Sequence, residues 1–345
     1  MNPQRFQPAF GLGNSHLQSL LASSRVRRWF CTGAIGRLER ASRELVLDCG
    51  NGVRLLGLHT PRTDARGLVV LLHGWEGSAG STYLVRLAAR LHSDGYEVFR
   101  LNFRDHGPTH HLNEELFHSN RIDEVVGAVA AIACALPARP LLLCGYSLGG
   151  NFALRVALRA AQIPAPIAHV VAVCPVVSPA NGLQALERAR WYERYFMHKW
   201  RGSLRRKQRL YPGRYDFDDW QFGLGLRGLT RLLVERYTDF GTLERYLDGY
   251  SIGGDRLAAL AVPASILTAA DDPIIPVSDF HALRTAPGTR LDIAPHGGHC
   301  GFIGNWRLDS FAEDYVLAQL GTAAPAAAAG PSPGARATIA APAES

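Results

Sequence analysis

From Gly67 to Leu72 the chain is apolar at every position, as expected of a strand covered on both faces. The pattern places that strand within 64–75 and an earlier one over 45–60. Similar buried runs recur at 96–103, 140–144 and 169–177. Between them the apolar positions switch to helical spacing. A Gly- and Ser-rich turn at 77–81 leads into a helix to about His92, and further helices are predicted over 121–136 and 151–161. Strand and helix alternating in this way imply an α/β fold with a mostly parallel, doubly wound central sheet and helices on both faces.

The rhythm breaks at about Pro179. From there to about Leu260 the chain is rich in Arg, Trp, Tyr and Gly, with helical periodicity and no clear strand. This reads as a helical insertion forming a lid. Strands then return at 264–268 and 291–294, followed by a helix over 305–320. Beyond Gly321 the sequence is Ala, Pro and Gly without period, a composition expected to stay disordered. The chain thus divides into an N-terminal arm packing on the core (1–44), a first core half (45–178), the lid (179–260), a second core half (261–320) and a tail (321–345).

Composition narrows the picture. The 345 residues suffice for one large core or two modest ones, and 47% apolar with 19% charged residues suits a soluble globular protein. No apolar run approaches a membrane span and the first ten residues lack the pattern of a leader, so a cytoplasmic location is expected. The six cysteines form no CxxC pair; their spacing indicates neither a disulfide framework nor a zinc site. The formal charge of +7 is unevenly spread. Residues 1–45 carry seven Arg against Glu39 and Glu44, and residues 187–209 carry nine Lys or Arg against Glu187 and Glu193. The remainder is net acidic. The bland reading of such basic stretches is a solvated helical face; the functional one is contact with an anionic substrate or lipid surface. Nucleic acid is not expected as a partner, because no recognition motif accompanies the basic charge.

The chemistry centres on Gly145-Tyr-Ser147-Leu-Gly149, set between a buried strand and a helix. A sharp strand-to-helix turn there would expose the Ser147 hydroxyl beside a helix N-terminus, and glycines on both sides relieve the crowding. Serine needs a base. His299, in His296-Gly-Gly-His299-Cys-Gly, lies in a loop between the last strand and the last helix and is preferred over His296. The imidazole in turn needs a carboxylate. Asp271 and Asp272 both follow the strand at 264–268. Asp272 is preferred because Asp-x-Ile-x-Pro is the usual shape of this loop. The order Ser, Asp, His is that of the α/β-hydrolase triad. For the oxyanion, Leu148 N–H is the first expected donor. Trp75 N–H, in the His73-Gly-Trp-Glu-Gly77 loop after the strand of 67–72, is the second. Tyr146 and His73, beside nucleophile and loop, are the expected substrate contacts.

Two other patterns carry less. Gly223-x-Gly225-x-x-Gly228 matches a dinucleotide fingerprint but follows no strand. His106, His110, His111 and His118, with Asp105, Glu114 and Glu115, have no standard metal spacing and read as a hydrogen-bonded loop under the active site. No metal and no cofactor is called for.

With these motifs assembled, the chain resembles the YheT-like branch of the α/β hydrolases from about Phe6 to Leu320. The likeness rests on Asn14-Ser-His-Leu-Gln-Ser-Leu20, His73-Gly-Trp-Glu-Gly-Ser78, Asn102-Phe-Arg104, Phe117-His-Ser119, Gly145-Tyr-Ser-Leu-Gly-Gly-Asn151, Tyr246-x-x-x-Tyr250-Ser251 and Asp271-Asp-Pro273. The resemblance implies an esterase or lipase with the triad on Ser147, Asp272 and His299. After Asn-Phe-Arg the branch usually continues Gly-Cys or Gly-His; here Asp105-His106-Gly107 stands instead, which puts substrate choice in doubt. The expected reaction is cleavage of a small-molecule carboxylic ester, lipid-like or of medium acyl chain, through an acyl-enzyme. The basic lid would allow peripheral membrane contact. A thioesterase or acyltransferase with the same triad, or a non-catalytic binding module on this scaffold, are the alternatives. Trp191, Tyr192, Tyr195, Phe196 and Trp200 form an apolar helical face that either packs on the core or lines an acyl pocket.

Overall fold

The computed structural model describes residues 2–136 and 140–324. Among these residues eight strands, β1 (Arg43–Asp48), β2 (Arg54–Thr60), β3 (Leu68–Leu72), β4 (Glu97–Leu101), β5 (Leu141–Tyr146), β6 (Ile167–Val173), β7 (Ala264–Ala269) and β8 (Thr289–Ala294), form one sheet. Their order is β1-β2-β4-β3-β5-β6-β7-β8. From β4 to β8 all pairings are parallel, and β2 runs antiparallel to both of its neighbours. Strands β3 and β5 are buried at every residue, as their unbroken apolar runs require.

One expected strand, 45–60, is two. Gly50, Asn51 and Gly52 all adopt positive φ (83°, 53° and 75°), so the chain reverses there and β1 folds back on β2. The last helix also differs from expectation. It spans Phe311–Ala323, because Ile303 bridges to Ser310 and the intervening residues turn rather than coil. It runs through Gly321, where the tail was expected to begin; the rest of that tail lies outside the described residues.

Chain order 3-4 on one side of the sheet and 5-6-7-8 on the other puts the reversal between β3 and β5. In open α/β sheets the crevice for ligands opens there, past the C-terminal strand ends. Two apolar clusters cover the two faces of the sheet. A third belongs to the insertion, whose helices Pro179–Arg188, Arg190–Leu210, Asp219–Gly223, Leu226–Tyr237 and Leu243–Gly249 pack around Met197, Phe217 and Leu229. Gly223 and Gly225 close one of these helices and open the next, with no strand before them.

The longest helix of the insertion is fastened to the core by a buried ion pair. Lys207 Nζ donates to Asp105 Oδ1 over 2.8 Å, and to the carbonyls of His110 and Asn113. Asp105 Oδ2 accepts from the Phe117 amide over 2.8 Å. Burial pushes the Asp105 carboxyl up, and Lys207 pulls it back down. Replacing Lys207 with methionine leaves that carboxylate buried without its cation. The expected cost is about 3–5 kcal/mol. Without Lys207 the carboxyl's folded pKa stays above its unfolded value. The penalty should therefore grow as pH rises through that range and shrink in acid. Urea unfolding of the variant at two pH values checks this.

Candidate active site

Strands β3 and β5 are neighbours in register, Leu72 opposite Gly145, so the loops that follow them meet. Ser147 sits at the end of β5 with φ 54° and ψ −120°, and helix Leu148–Ala157 starts at once. The glycines around it are a packing necessity. A Cβ on Gly145 would fall 2.1 Å from the Gly149 carbonyl, and one on Gly149 would fall 2.3 Å from that of Leu72. The strained turn is held from below by the Ser147 amide, which donates to Val173 O over 2.8 Å.

The Ser147 hydroxyl donates to Nε2 of His299 over 2.9 Å, and Nδ1–H of His299 donates to Asp272 Oδ2 over 2.8 Å. Asp272 is fixed in turn: its Oδ1 accepts from the amides of Ile274 and Ile275 at 2.8 and 3.0 Å. Burial pushes the His299 imidazole down, but the adjacent Asp272 carboxylate and Cys300 thiol outweigh it and raise its pKa well above the ordinary histidine value; the neutral ring, with Nε2 free, is the form that accepts from Ser147. Asp271 does not face His299. It accepts from the Gly298 amide over 2.9 Å and stands 3.7 Å from the half-exposed His296.

The N-terminal arm steadies the histidine loop. The His299 amide donates to Ser19 Oγ over 2.8 Å. Gln18 bridges the Leu12 and Ile303 carbonyls and accepts from the Ile303 amide. Contact is so close that a Cβ on Gly298 or Gly301 would strike the backbone of Ser15 or Gln18 at 2.3 and 2.4 Å. Ser19 and Gln18 were visible only as part of the Asn14–Leu20 motif. Nothing in their spacing tied them to a loop 280 residues away.

In the loop after β3, the amides of Gly74, Glu76 and Gly77 are engaged by Tyr83 Oη, His106 Nε2 and Gly74 O. Among the described residues no acceptor takes the N–H of Trp75, nor that of Leu148 at the start of its helix. Both residues line one cavity of about 1780 Å³ together with Ser147 and His299. Tyr146 also lines it, its ring buried against Tyr83. His73 is not brought there. It is fully buried, its Nδ1–H donating to Gly74 O and its Nε2 accepting from the Phe103 amide. Burial holds it neutral, far below the usual histidine pKa. The expectation that His73 touches substrate therefore gives way to a role in shaping the loop.

His106 works in the same manner, with Nδ1–H on Arg104 O and its pKa lowered by burial to about 4. His110 bonds Ser203 of the insertion over 2.7 Å, and His118 packs against Phe240 and Tyr246. His106, His110 and His118 thus each meet a different neighbour, while His111 is exposed. The aromatic face of the helix Arg190–Leu210 does reach the cavity: Trp191, Tyr192, Tyr195, Phe196 and Trp200 all line it. Phe196 and Trp200 also pack on the Trp75 ring at 5.3 and 5.4 Å. No helix among the described residues is long and apolar enough to cross a membrane.

Comparison with known proteins agrees with this architecture. Residues 69–314 match the model of the alpha/beta hydrolase family. YheT of Escherichia coli, provisionally named an esterase, is 26% identical over 318 residues, covering 88% of each chain. A Synechocystis protein, slr0264, named in the same way, is 26% identical over 87% of this chain and 88% of its own. Among solved structures, the Pyrococcus furiosus esterase Pf2001 superposes with a TM-score of 0.56 over 84% of this chain and 91% of its own, at 15% identity. Sheet order, the turn at Ser147 and likeness along most of its length place the chain in the alpha/beta hydrolase family, on its YheT-like branch.

Proposed function

We propose that the chain is a serine esterase that cleaves acyl esters through a covalent acyl-enzyme. The observation that carries the reading is the unbroken hydrogen-bonded series Ser147–His299–Asp272 on the wall of an open cavity. His299 takes the Ser147 proton as Oγ attacks the ester carbonyl, and Asp272 stabilises the imidazolium. The amides of Trp75 and Leu148 receive the oxyanion. His299 then protonates the departing alcohol and later activates the water that frees the acid.

Cavity shape and charge bear on the substrate. Its volume exceeds the roughly 300–1,000 Å³ of a drug-sized pocket, giving room for a long acyl chain along the aromatic face. Arg25, Arg28, Arg188, Arg190 and Lys199 line it, and among the described residues no Asp or Glu does. Exposed Leu20 and Trp191 stand beside these cations. The helices of 179–249 roof the cavity as a lid, and its cationic, aromatic edge suits an acyl ester with an anionic head group, met free or at an anionic lipid surface.

The test is a panel of p-nitrophenyl esters graded in chain length, followed by acylglycerols with and without a phosphate on the glycerol. From acetyl to medium or long chains, kcat/KM should rise about tenfold or more. The phosphate-bearing ester should be preferred, an advantage that added salt or Arg190→Ala erodes. An optimum at acetyl with no discrimination between head groups would contradict the reading.

A further inference from the structure

Two cysteines far apart in sequence meet beside His299. Cys174 directly follows β6, and Cys300 follows His299 in the loop after β8. Both adopt positive φ (45° and 63°), so neither lies there by ordinary backbone preference. Their thiols turn inward, the Sγ of Cys174 lying 3.9 Å from Gly298 O and that of Cys300 3.8 Å from Val173 O. Beyond these weak, long carbonyl contacts the two thiols bond each other, and Cys300 also reaches the His299 imidazole. Cys300 lines the cavity with His299 and Ser147, which gives a solute a way in.

Ligand atoms of Cys174, Cys300 and His299 all lie within 4.8 Å of one another. Three points that close share a centre no more than about 2.8 Å from any of them. Zinc needs ~2.3 Å to sulfur and ~2.0–2.1 Å to nitrogen, so inward shifts of roughly 0.5–0.7 Å complete the set. Two thiolates and an imidazole, with His299 and Cys300 on the cavity wall, form a donor set for a thiophilic divalent cation. Cysteine spacing along the chain hides this, because two different strand ends supply the two sulfurs.

We propose that Cys174, Cys300 and His299 form a site for a divalent cation of the zinc class, and that occupying it switches the hydrolase off. The cation binds as both thiols, and the imidazole nitrogen it takes where that nitrogen is protonated, release their protons to solvent. Its bond to the imidazole displaces either Ser147 from Nε2 or Asp272 from Nδ1. Either way Ser147 loses a competent base. The switching consequence rests on the esterase reading above; the binding of the cation does not.

The experiment separates the two. The reduced chain is titrated with cobalt(II) chloride, and the thiolate-to-cobalt charge-transfer absorption is followed in the wild type, Cys174→Ala and Cys300→Ala. A band that saturates at one equivalent in the wild type and is lost in both variants is the expected result. In parallel, zinc chloride should inhibit ester hydrolysis reversibly, with recovery on adding chelator. Half-inhibition in either variant should require at least about tenfold more zinc. The absorption is readable even if the chain hydrolyses no ester. Absence of the band in the wild type, or its persistence in both variants, would overturn the site. A wild type that binds cobalt but is no more sensitive to zinc than the two variants would overturn the switch.

Discussion

Ser147→Ala is expected to abolish ester hydrolysis, lowering kcat by a factor on the order of 10⁵–10⁶ while the chain stays folded. The loss should be large because, on the serine-esterase proposal, the nucleophile and not its environment is removed. His299 keeps its bond to Asp272, and the amides of Trp75 and Leu148 stay where they are, so only the residual rate from binding and polarisation survives. Folding should be little disturbed. Alanine meets the same φ of 54° as serine does and leaves the Val173 and Asn151 backbone bonds untouched. Circular dichroism and thermal unfolding beside the kinetics keep inactivity distinct from misfolding. A variant with more than a few per cent of wild-type kcat would mean that some other group attacks the ester.

The second large effect separates two adjacent carboxylates. Asp272→Asn should cost about 10⁴ in kcat, with KM nearly unchanged. An asparagine there can still accept from Ile274 and Ile275, but its NH₂ then meets Nδ1–H of His299, and the ring must take the tautomer that cannot accept the Ser147 proton. In contrast, Asp271→Asn retains an oxygen for the Gly298 amide and changes nothing that touches His299 Nδ1. Its effect on kcat should stay within several-fold. Equal losses in the two variants would mean that the loop's backbone, rather than the carboxylate on the imidazole, sets the rate.

Much of the fold was legible because burial on both faces leaves a strong mark. The apolar run at 67–72 and the strand–turn–helix around Ser147 needed only local pattern. The reversal at Gly50–Gly52 was missed because the apolar residues on either side of it merge into one run when the turn is not weighed. Near the C-terminus, Asn305 to Asp309 look helical in composition, yet Asn305 Oδ1 accepts from the Arg307 and Asp309 amides and holds a turn.

For the site, the order of Ser147, Asp272 and His299 could be read along the chain. The choice between Asp271 and Asp272 rests in the sequence on the local Asp-x-Ile-x-Pro pattern alone, and in the structure on side-chain direction, which puts Asp272 Oδ2 on His299 Nδ1. His73 shows the opposite failure. Its place beside the oxyanion loop suggested contact with substrate, but the strand end turns it inward to bond backbone. The Asp105-His106 departure from the usual family residues has a counterpart in the insertion. Lys207 meets Asp105, and His106 props the Glu76 amide. That pairing joins residues 102 positions apart and could not be seen until the chain was folded.

Attack by Ser147 is the central claim, and covalent capture tests it most directly. The wild-type chain is treated with a fluorophosphonate, and its mass is measured intact and after proteolysis. One phosphonyl group per chain, on Ser147, is the result expected; it should be absent from Ser147→Ala and much slowed in Asp272→Asn. A wild type that takes up no label, or labelling that persists in Ser147→Ala, would contradict the account.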